Sequence, residues 1–412
     1  MERNKNKHRI KIITVAFTVI AIVVIVATPL STETMAINKK IKRISRLTNY
    51  GLNKIIAFQE TPNLPLITQT QHQIRIVHIG DSHIQAGFFT GEVRQQLANY
   101  FGDTAISVGY AFPYNLAKTN SPTDYTFKST GTWIFSKILG SQEPIEAGLS
   151  GMTMKTSDPT ASLFISTKNK KYGDKYFDQI TIFYRTDGNS FTPKIENIST
   201  EITSKGSNHI TYKLNQLVCE ANIILQSEQN SSEILLSGLE LVNSSSKIIY
   251  SSAGLNGADV KSYLLAKELT SQLGTINPQL VIISLGTNDA YHPLFNAETF
   301  TTLLDSLITK VKKAVPNSTV LLTIPGDHLI SRAIPNPRLL DAKTVILTSA
   351  LRNNCCVWDF HSLMGGAGSI KVWNSMGLTA PDMLHLNAKG YQLQGELLFE
   401  ALTNETSIIE NI

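Results

Sequence analysis

Residues 74–87, IRIVHIGDSHIQAG, constrain the fold more than any other stretch of this chain. The stretch begins with apolar, mostly β-branched side chains, which a central strand covered on both faces requires. Gly80 ends this run and permits a sharp turn, and an apolar helical pattern follows over residues 88–100. Open α/β sheets bind ligands beyond the carboxyl ends of such strands. Ser82 therefore lies where a ligand is expected, next to a helix N-terminus that favours negative charge.

The second half of the chain repeats this pattern of a strand followed by a helix. The strand candidates are the short apolar runs at residues 280–285, 319–324 and 356–358. The helix candidates are residues 299–314, 338–353 and 388–403. Strands that alternate with helices predict a parallel sheet with right-handed crossover connections.

Residues 111–247 interrupt the α/β pattern. This stretch is rich in Ser, Thr, Asn, Gly and aromatic residues, and its short alternating runs predict strands between turn-rich segments. The strand candidates are residues 161–166, 179–184, 210–214 and 221–226, with a further pair of strands within residues 233–242. Regularly spaced short strands indicate a β-sandwich. Because Ser82 precedes this stretch, we expect a β-rich domain inserted into a discontinuous α/β domain of residues 74–110 and 248–405.

Three further motifs occur after Ser82 in the sequence, each next to a predicted strand or helix of the α/β pattern. Residues 254–257 read GLNG, residues 284–289 read SLGTND and residues 382–385 read DMLH. Together with Gly80-Asp81-Ser82, the order Gly-Asp-Ser, Gly, Gly-x-Asn-Asp, Asp-x-x-His resembles the SGNH/GDSL hydrolase family. The resemblance implies a three-layer α/β/α fold with a parallel sheet. It also implies ester hydrolysis by a serine nucleophile, with no metal ion and no cofactor.

The same resemblance implies a catalytic triad of Ser82, His385 and Asp382. A serine hydroxyl is a weak nucleophile until a base removes its proton, and a neutral histidine can act as that base near neutral pH. An aspartate three residues before the histidine can hold the ring tautomer and stabilise the imidazolium. Taken alone, the pair has a simpler interpretation, in which the aspartate caps a turn and the histidine lies on the surface.

The developing oxyanion needs hydrogen-bond donors aimed at it. By family analogy these are the backbone N–H groups of Ser82 and Gly257 and the side-chain amide of Asn288. Gly257 is preferred to Gly254 because the family's glycine lies in a loop and a polar residue follows it. We expect Gly254 to serve the turn instead.

Three further residues are assigned supporting roles around this site. Asp81 and Asp289 are expected to hydrogen-bond to nearby backbone. His83 adjoins the nucleophile, and since His385 fills the role of base, His83 is interpreted as a structural or substrate-positioning residue.

Four short sequence segments narrow the resemblance to a subgroup of this family. Residues 80–85 (GDSHIQ), 88–93 (FFTGEV), 151–158 (GMTMKTSD) and 364–366 (MGG) are similar to SGNH enzymes that act on acetylated peptidoglycan, some of which carry a β-rich insertion resembling a carbohydrate-binding module. This implies removal of O-acetyl groups from an acetylated polysaccharide. The alternatives are a deacetylase of another glycan, an acetyltransferase with the same triad, and a non-catalytic glycan-binding protein.

The charge of the chain gives no reason to expect a nucleic-acid partner. The formal net charge is +5, and the body of the chain has no dense basic stripe with interleaved aromatic residues.

The N-terminus has the pattern of a targeting segment. Residues 1–11 are polar and basic and residues 12–27 are apolar, which predicts a membrane segment within residues 1–30. A signal anchor is favoured over a cleaved signal peptide because Pro29 spoils the nearest cleavage pattern. The basic flank indicates an exported body, and residues 31–73 are interpreted as a basic stalk and linker.

The chain has three cysteines. Cys219 is far from the others in the sequence, whereas Cys355 and Cys356 are adjacent. Vicinal cysteines do not readily pair with each other, and no spacing resembles a zinc site. A disulfide from Cys219 to one of the pair is left open.

Overall fold

The computed structural model describes residues 50–58, 73–169, 173–186, 191–227, 233–403 and 408–409. Residues 1–50 and residues 51–412 form two units, and the architecture below is that of the second. The predicted signal anchor lies outside the described residues, as does most of the predicted stalk. Within the part of the chain that is described, no helix has the length and apolarity needed to cross a bilayer.

The described chain alternates strands and helices in the order that the sequence predicts for its α/β parts. The strands are β1 (Ile55–Ala57), β2 (Ile74–Gly80), β3 (Gly109–Ala111), β4 (Thr126–Thr130), β5 (Ile134–Lys137), β6 (Met152–Thr156), β7 (Ser162–Ser166), β8 (Phe177–Thr186), β9 (Phe191–Ile195), β10 (Thr200–Lys205), β11 (His209–Val218), β12 (Glu220–Ser227), β13 (Ile234–Val242), β14 (Ile248–Gly254), β15 (Leu280–Ser284), β16 (Thr319–Ile324), β17 (Leu329–Ile330), β18 (Ile334–Pro335), β19 (Cys356–Asp359) and β20 (Ile408–Ile409). The helices are α1 (Ser82–Gln85), α2 (Phe88–Phe101), α3 (Val260–Leu264), α4 (Leu269–Ile276), α5 (Thr287–Tyr291), α6 (Ala297–Ala314), α7 (Leu339–Arg352), α8 (Phe360–Met364), α9 (Ser369–Ser375) and α10 (Ala388–Thr403). The helices and strands predicted for the α/β parts are confirmed, with small differences at their ends.

A seven-stranded sheet has the strand order β14-β2-β15-β16-β19-β1-β20. Its neighbours from β14 to β19 are parallel, as the strand–helix alternation predicts. Helices cover both faces of this sheet. Because side chains alternate across a strand, successive residues of β2 contact helices on opposite faces. Val77 and Ile79 of β2 share one buried cluster with Leu307 of α6. His78, between them, faces the other side, where its ring lies 5.5 Å from that of Phe89 of α2.

One edge of this sheet corrects the predicted stalk of residues 31–73. Strand β1, which falls within that range, pairs antiparallel with β19 and parallel with β20. Ile55 and Phe58 are buried, so this end of the predicted stalk belongs to the body. Strand β1 could not be predicted from the sequence, because a strand of three residues is too short to show an alternating apolar pattern.

The β-rich part of the chain consists of two antiparallel sheets. The larger has the order β10-β11-β8-β13-β6-β5, with β3 beside β13, and the smaller has the order β4-β7-β12-β9. Leu163 and Ile223 of the small sheet share a buried cluster with Ile182 and Leu236 of the large one. Two packed sheets agree with the predicted sandwich-like architecture.

Two details of the predicted insertion are wrong. Residues 233–242, expected to hold two strands, contain the single strand β13, whose register shifts between Leu236 and Gly238. Strand β3 pairs with β13 and crosses the predicted boundary between residues 110 and 111. None of the three cysteines forms a disulfide, so the disulfide from Cys219 that the sequence left open is absent.

Replacing Asn53 with alanine is expected to destabilise the fold by about 1–3 kcal/mol. The Asn53 amide donates to the Leu397 carbonyl at 3.0 Å, and its oxygen accepts the buried Trp358 indole N–H at 3.1 Å. Alanine leaves that N–H unpaired. Urea denaturation of the full-length chain measures the loss, with the exposed Asn99→Ala as control. Equal unfolding midpoints for the two variants would contradict this role of Asn53.

Candidate active site

The loops that carry three of the motifs begin side by side at the carboxyl edge of the parallel sheet. Strands β14, β2 and β15 end at Gly254, Gly80 and Ser284, and these three residues are register partners across the sheet. The chain then leads to Gly257, Ser82 and Asn288, respectively, within a few residues. Parallel pairing therefore brings together motifs that are far apart in sequence.

Two glycines are required by the close approach of these strand ends. A Cβ on Gly80 would lie 2.6 Å from the Ser284 carbonyl oxygen, and one on Gly254 would lie 2.5 Å from the Asp81 carbonyl oxygen. Both are backbone clashes, which flexible side chains cannot relieve. The structure thus gives Gly254 a close packing contact at the end of β14, and the turn role that the sequence predicts for it stays a prediction.

Ser82 begins the one-turn helix α1. The Asp81 carboxylate caps this helix, because its Oδ1 accepts the backbone N–H of His83 at 3.0 Å. Asp81 is 1% exposed, and burial raises the pKa of its carboxyl to about 6 although the His83 N–H acts to lower it. The cap fixes the backbone that presents the Ser82 hydroxyl.

Ser82, His385 and Asp382 form a continuous chain of hydrogen bonds. Ser82 Oγ lies 2.8 Å from Nε2 of His385, and His385 Nδ1 lies 2.7 Å from Oδ2 of Asp382. An ionised carboxylate can only accept, so Nδ1 carries the proton and Nε2 presents its lone pair to the Ser82 hydroxyl. That is the arrangement in which the imidazole can take the serine proton.

The Asp382 carboxylate is held in place by its own turn. Its Oδ1 accepts the backbone N–H groups of Leu384 and His385, at 3.0 and 2.9 Å. Burial acts to raise the pKa of this carboxyl, but these bonds and the His385 ring outweigh it and hold the pKa below its ordinary value. Asp382 is therefore ionised at neutral pH and can stabilise an imidazolium beside it.

The loop with Gly257 is anchored by the start of helix α5. The Asn288 amide donates to the Ala258 carbonyl at 2.8 Å and to Asp81 Oδ2 at 3.3 Å. Asp289 Oδ1 accepts the Val260 N–H at 3.1 Å. Gly257 has a φ of +81°, and a Cβ on it would lie 3.1 Å from Cδ2 of Leu139. The predicted oxyanion donors are thus gathered around Ser82, and their role as donors stays a prediction.

His83 lies beside the His385 ring and is hydrogen-bonded to the last helix. Its Nδ1 lies 2.9 Å from the Tyr391 hydroxyl, and the centroids of the His83 and His385 rings are 5.0 Å apart. Burial lowers the pKa of His83 to about 3, so the ring is neutral. A neutral ring packed against His385 suits a structural role.

Asp289 is a half-buried residue whose carboxyl lies near those of Asp259 and Asp81. Burial, and then the neighbouring Asp259, raise its pKa to about 7. Its bond to the Val260 backbone agrees with the expected contact with backbone near the site.

Sequence reasoning missed two residues at this site. Tyr391, the partner of His83, is one of several apolar positions on α10 and carries no motif. Leu139, which comes from the β-rich part and lies against Gly257, is more than a hundred residues away from Gly257 in the sequence. Within the described residues, no group of three or more His, Cys, Asp or Glu side chains is arranged to hold a metal ion.

Replacing Asn288 with alanine is expected to lower kcat on an acetyl ester by about 100- to 1000-fold, the usual cost of one side-chain oxyanion donor. KM should change little, because the amide stabilises the oxyanion only in the transition state, and the variant should stay folded although it loses the bond to the Ala258 carbonyl. Steady-state kinetics with p-nitrophenyl acetate measure the effect. An unchanged kcat would remove Asn288 from the mechanism.

Comparison with known proteins supports this grouping. The model of the GDSL-like Lipase/Acylhydrolase family matches residues 234–393. This span contains Gly257, Asn288, Asp382 and His385 but not Ser82, because the β-rich part separates the nucleophile from the later motifs. A search of curated proteins found no match.

Several solved structures are similar. One, described as a peptidoglycan O-acetylesterase in action, has a TM-score of 0.70 at 18% identity and covers 84% of this chain and 97% of that chain. A lipase/acylhydrolase from Enterococcus faecalis has a TM-score of 0.31 at 22% identity, covering 38% of this chain and 76% of that one. For an acetyl xylan esterase the TM-score is 0.32 at 21% identity, with coverage of 38% and 81%.

The first of these structures shares the fold over 84% of the chain, a share too large to leave out the β-rich part. Four motifs in the family's order meet at one edge of the sheet, and the family model matches the segment with the last three. Residues 234–393 therefore match the GDSL-like lipase/acylhydrolase family, and the fold of the chain is similar to that of the first solved structure.

Proposed function

We propose that this protein is a serine esterase that removes O-acetyl groups from an acetylated polysaccharide, with peptidoglycan as the favoured substrate. The observation that carries the proposal is the bonded chain from Ser82 Oγ through His385 to Asp382, with distances of 2.8 and 2.7 Å. This arrangement suits acyl transfer from an ester to serine.

In the first half of the proposed reaction, Ser82 Oγ bonds to the acetyl carbonyl carbon while His385 Nε2 takes the hydroxyl proton. The carbonyl oxygen becomes an oxyanion, which the N–H groups of Ser82 and Gly257 and the Asn288 amide stabilise. The bond from this carbon to the sugar oxygen then breaks, and His385 returns the proton to the sugar. The acetyl group is left on Ser82.

In the second half, water attacks the acetyl-serine carbonyl and His385 Nε2 takes a proton from that water. The same donors stabilise the second oxyanion. The bond to Ser82 Oγ breaks, the serine recovers its proton from His385, and acetate leaves. Asp382 keeps its charge throughout and stabilises the imidazolium in both halves.

The choice of polysaccharide rests on two supports. The solved structure with the TM-score of 0.70 is described as a peptidoglycan O-acetylesterase, and its coverage of 84% of this chain is too large to leave out the β-rich part. That part also reaches the site, since Leu139 lies against Gly257. We propose that the β-rich part holds the glycan so that a short ester reaches Ser82.

The location is part of the same proposal. An acetylated wall polymer lies outside the cytoplasm, and the basic and apolar pattern of residues 1–30 fits an anchor that keeps an exported body at the membrane. The proposed partners are therefore an acetylated glycan and a membrane, with no nucleic acid.

Acetate release from three substrates tests the proposal. These are O-acetylated peptidoglycan, the same polymer after alkaline removal of its esters, and acetylated xylan. The full-length protein should release acetate fastest from the first and none from the second. Preference for xylan would move the substrate to another glycan. Acetyl appearing on an added acceptor sugar instead of as acetate would indicate a transferase, and binding without release would indicate a glycan-binding protein.

A further inference from the structure

We infer that Asp81 is a positioning residue of the oxyanion hole, whose carboxylate sets the orientation of the Asn288 amide and holds the N–H group that passes to the oxyanion during the reaction. The inference rests on the proposed function, because it needs an oxyanion to receive that N–H. It gives Asp81 a task beyond capping α1.

The hydrogen-bond partners of Asn288 carry the inference. A primary amide has two N–H donors, and in this structure both have acceptors, Ala258 O at 2.8 Å and Asp81 Oδ2 at 3.3 Å. An oxyanion donor must direct an N–H at the developing charge. One of these contacts must therefore yield when the oxyanion forms.

The two contacts differ in strength. The bond to Ala258 has an ordinary length, whereas that to Asp81 is longer than a typical N–H···O bond. The longer one is the easier to exchange. We assign the Ala258 carbonyl as the fixed anchor of the amide and Asp81 as the acceptor in the resting enzyme.

Asp81 also discriminates between the two orientations of the amide. The Ala258 carbonyl and an ionised carboxylate both accept and cannot donate. If the amide were flipped, its oxygen would face two acceptors, so the N–H groups are the side presented to them. The amide thereby enters each reaction cycle with a donor beside Ser82.

The Asp81 carboxylate cannot swing away from this task. It is 1% exposed, and its Oδ1 is held by the His83 N–H. Burial raises the pKa of its carboxyl to about 6, and the group is mostly ionised above neutral pH. The Asn288 amide thus links the residue before Ser82 to the residue after Gly257, and so connects all three predicted donors.

The test is Asp81→Asn, placed in the wild-type chain and in Asn288→Ala. An asparagine at position 81 has one side-chain oxygen, which the His83 N–H claims as the helix cap, so its NH₂ faces Asn288. Donor then meets donor and the Asn288 amide is driven to flip. We expect kcat to fall by about 10- to 100-fold, within the limit set by loss of the whole donor. KM should change little.

In the Asn288→Ala background the same change should cost nothing further, because no amide remains to orient. Equal losses in both backgrounds would overturn the inference, as would full activity of Asp81→Asn. Asp81→Ser keeps a capping oxygen and places no NH₂ group opposite Asn288, and its hydroxyl can rotate to accept from that amide. It should lose less activity than Asp81→Asn, and an equal or larger loss would also count against the inference. Asp359→Asn, a change at the cap of α8, is the matched control.

Failure of this inference about Asp81 can be distinguished from failure of the proposed esterase function. A wild-type protein without esterase activity would refute the proposed function itself. If the wild type is active and the losses of kcat from the Asp81 and Asn288 substitutions are additive, the proposed esterase function is retained. Only the role of Asp81 is then refuted. Thermal unfolding of each variant shows whether the fold is retained.

Discussion

Replacing His385 with alanine should lower kcat on a small acetyl ester by about 10⁶-fold. The Ser82 hydroxyl, 2.8 Å from His385 Nε2, then has no group to take its proton during attack. Substrate binding should change little, because the imidazole acts in the transition state. Steady-state kinetics of the full-length variant with p-nitrophenyl acetate measure the loss.

Two comparisons make the His385 result specific. The double variant Ser82→Ala/His385→Ala should be no slower than either single variant, since the two residues act as a unit. His209→Ala, whose ring bonds to Ser204, should retain activity. If His385→Ala kept most of its activity and lost it only when His83 was also changed, the assignment of the base would be wrong.

Replacing Asp382 with asparagine should lower kcat by about 10⁴-fold. The reason lies in the turn of residues 382–385, where Oδ1 accepts the N–H groups of Leu384 and His385. Asparagine has one oxygen to take that place, so its NH₂ faces His385 Nδ1. The ring then carries its proton on Nε2, facing Ser82, and cannot act as base.

The size of this loss and an unchanged unfolding midpoint separate it from simple destabilisation. The Asp382→Asn variant should keep the unfolding midpoint of the wild type, because both backbone N–H groups keep their acceptor. A loss of less than tenfold in kcat, or full activity together with a lower unfolding midpoint, would contradict the role given to Asp382 in fixing the tautomer.

Much of the fold follows from local patterns in the sequence. Strand β2 and helix α10 were predicted because runs of apolar residues carry a period that short-range geometry explains. Strand β1 was missed because its pairing with β19 depends on tertiary contacts. Strand β13 was mistaken for a pair because Gly238, which interrupts its apolar run, has the pattern of a turn but lies at a register shift.

The motifs of the site could be predicted, but the contacts between them could not. Ser82, Asp382 and His385 stand in fixed local patterns that the chemistry of acyl transfer needs. The bond from Asn288 to Asp81 joins residues that follow the neighbouring strands β15 and β2, and the direction of an amide depends on acceptors that only the folded chain brings together. The same holds for the contact of His83 with Tyr391.

The most direct test of the central claim is acetate release from O-acetylated peptidoglycan by the full-length protein and by its Ser82→Ala variant, assayed side by side. The account predicts release by the wild type that falls to the uncatalysed level in a folded variant. Release by the variant at the wild-type rate would show that Ser82 is not the nucleophile. Absence of release by a folded wild-type protein, from this polymer and from a small acetyl ester alike, would contradict the esterase itself.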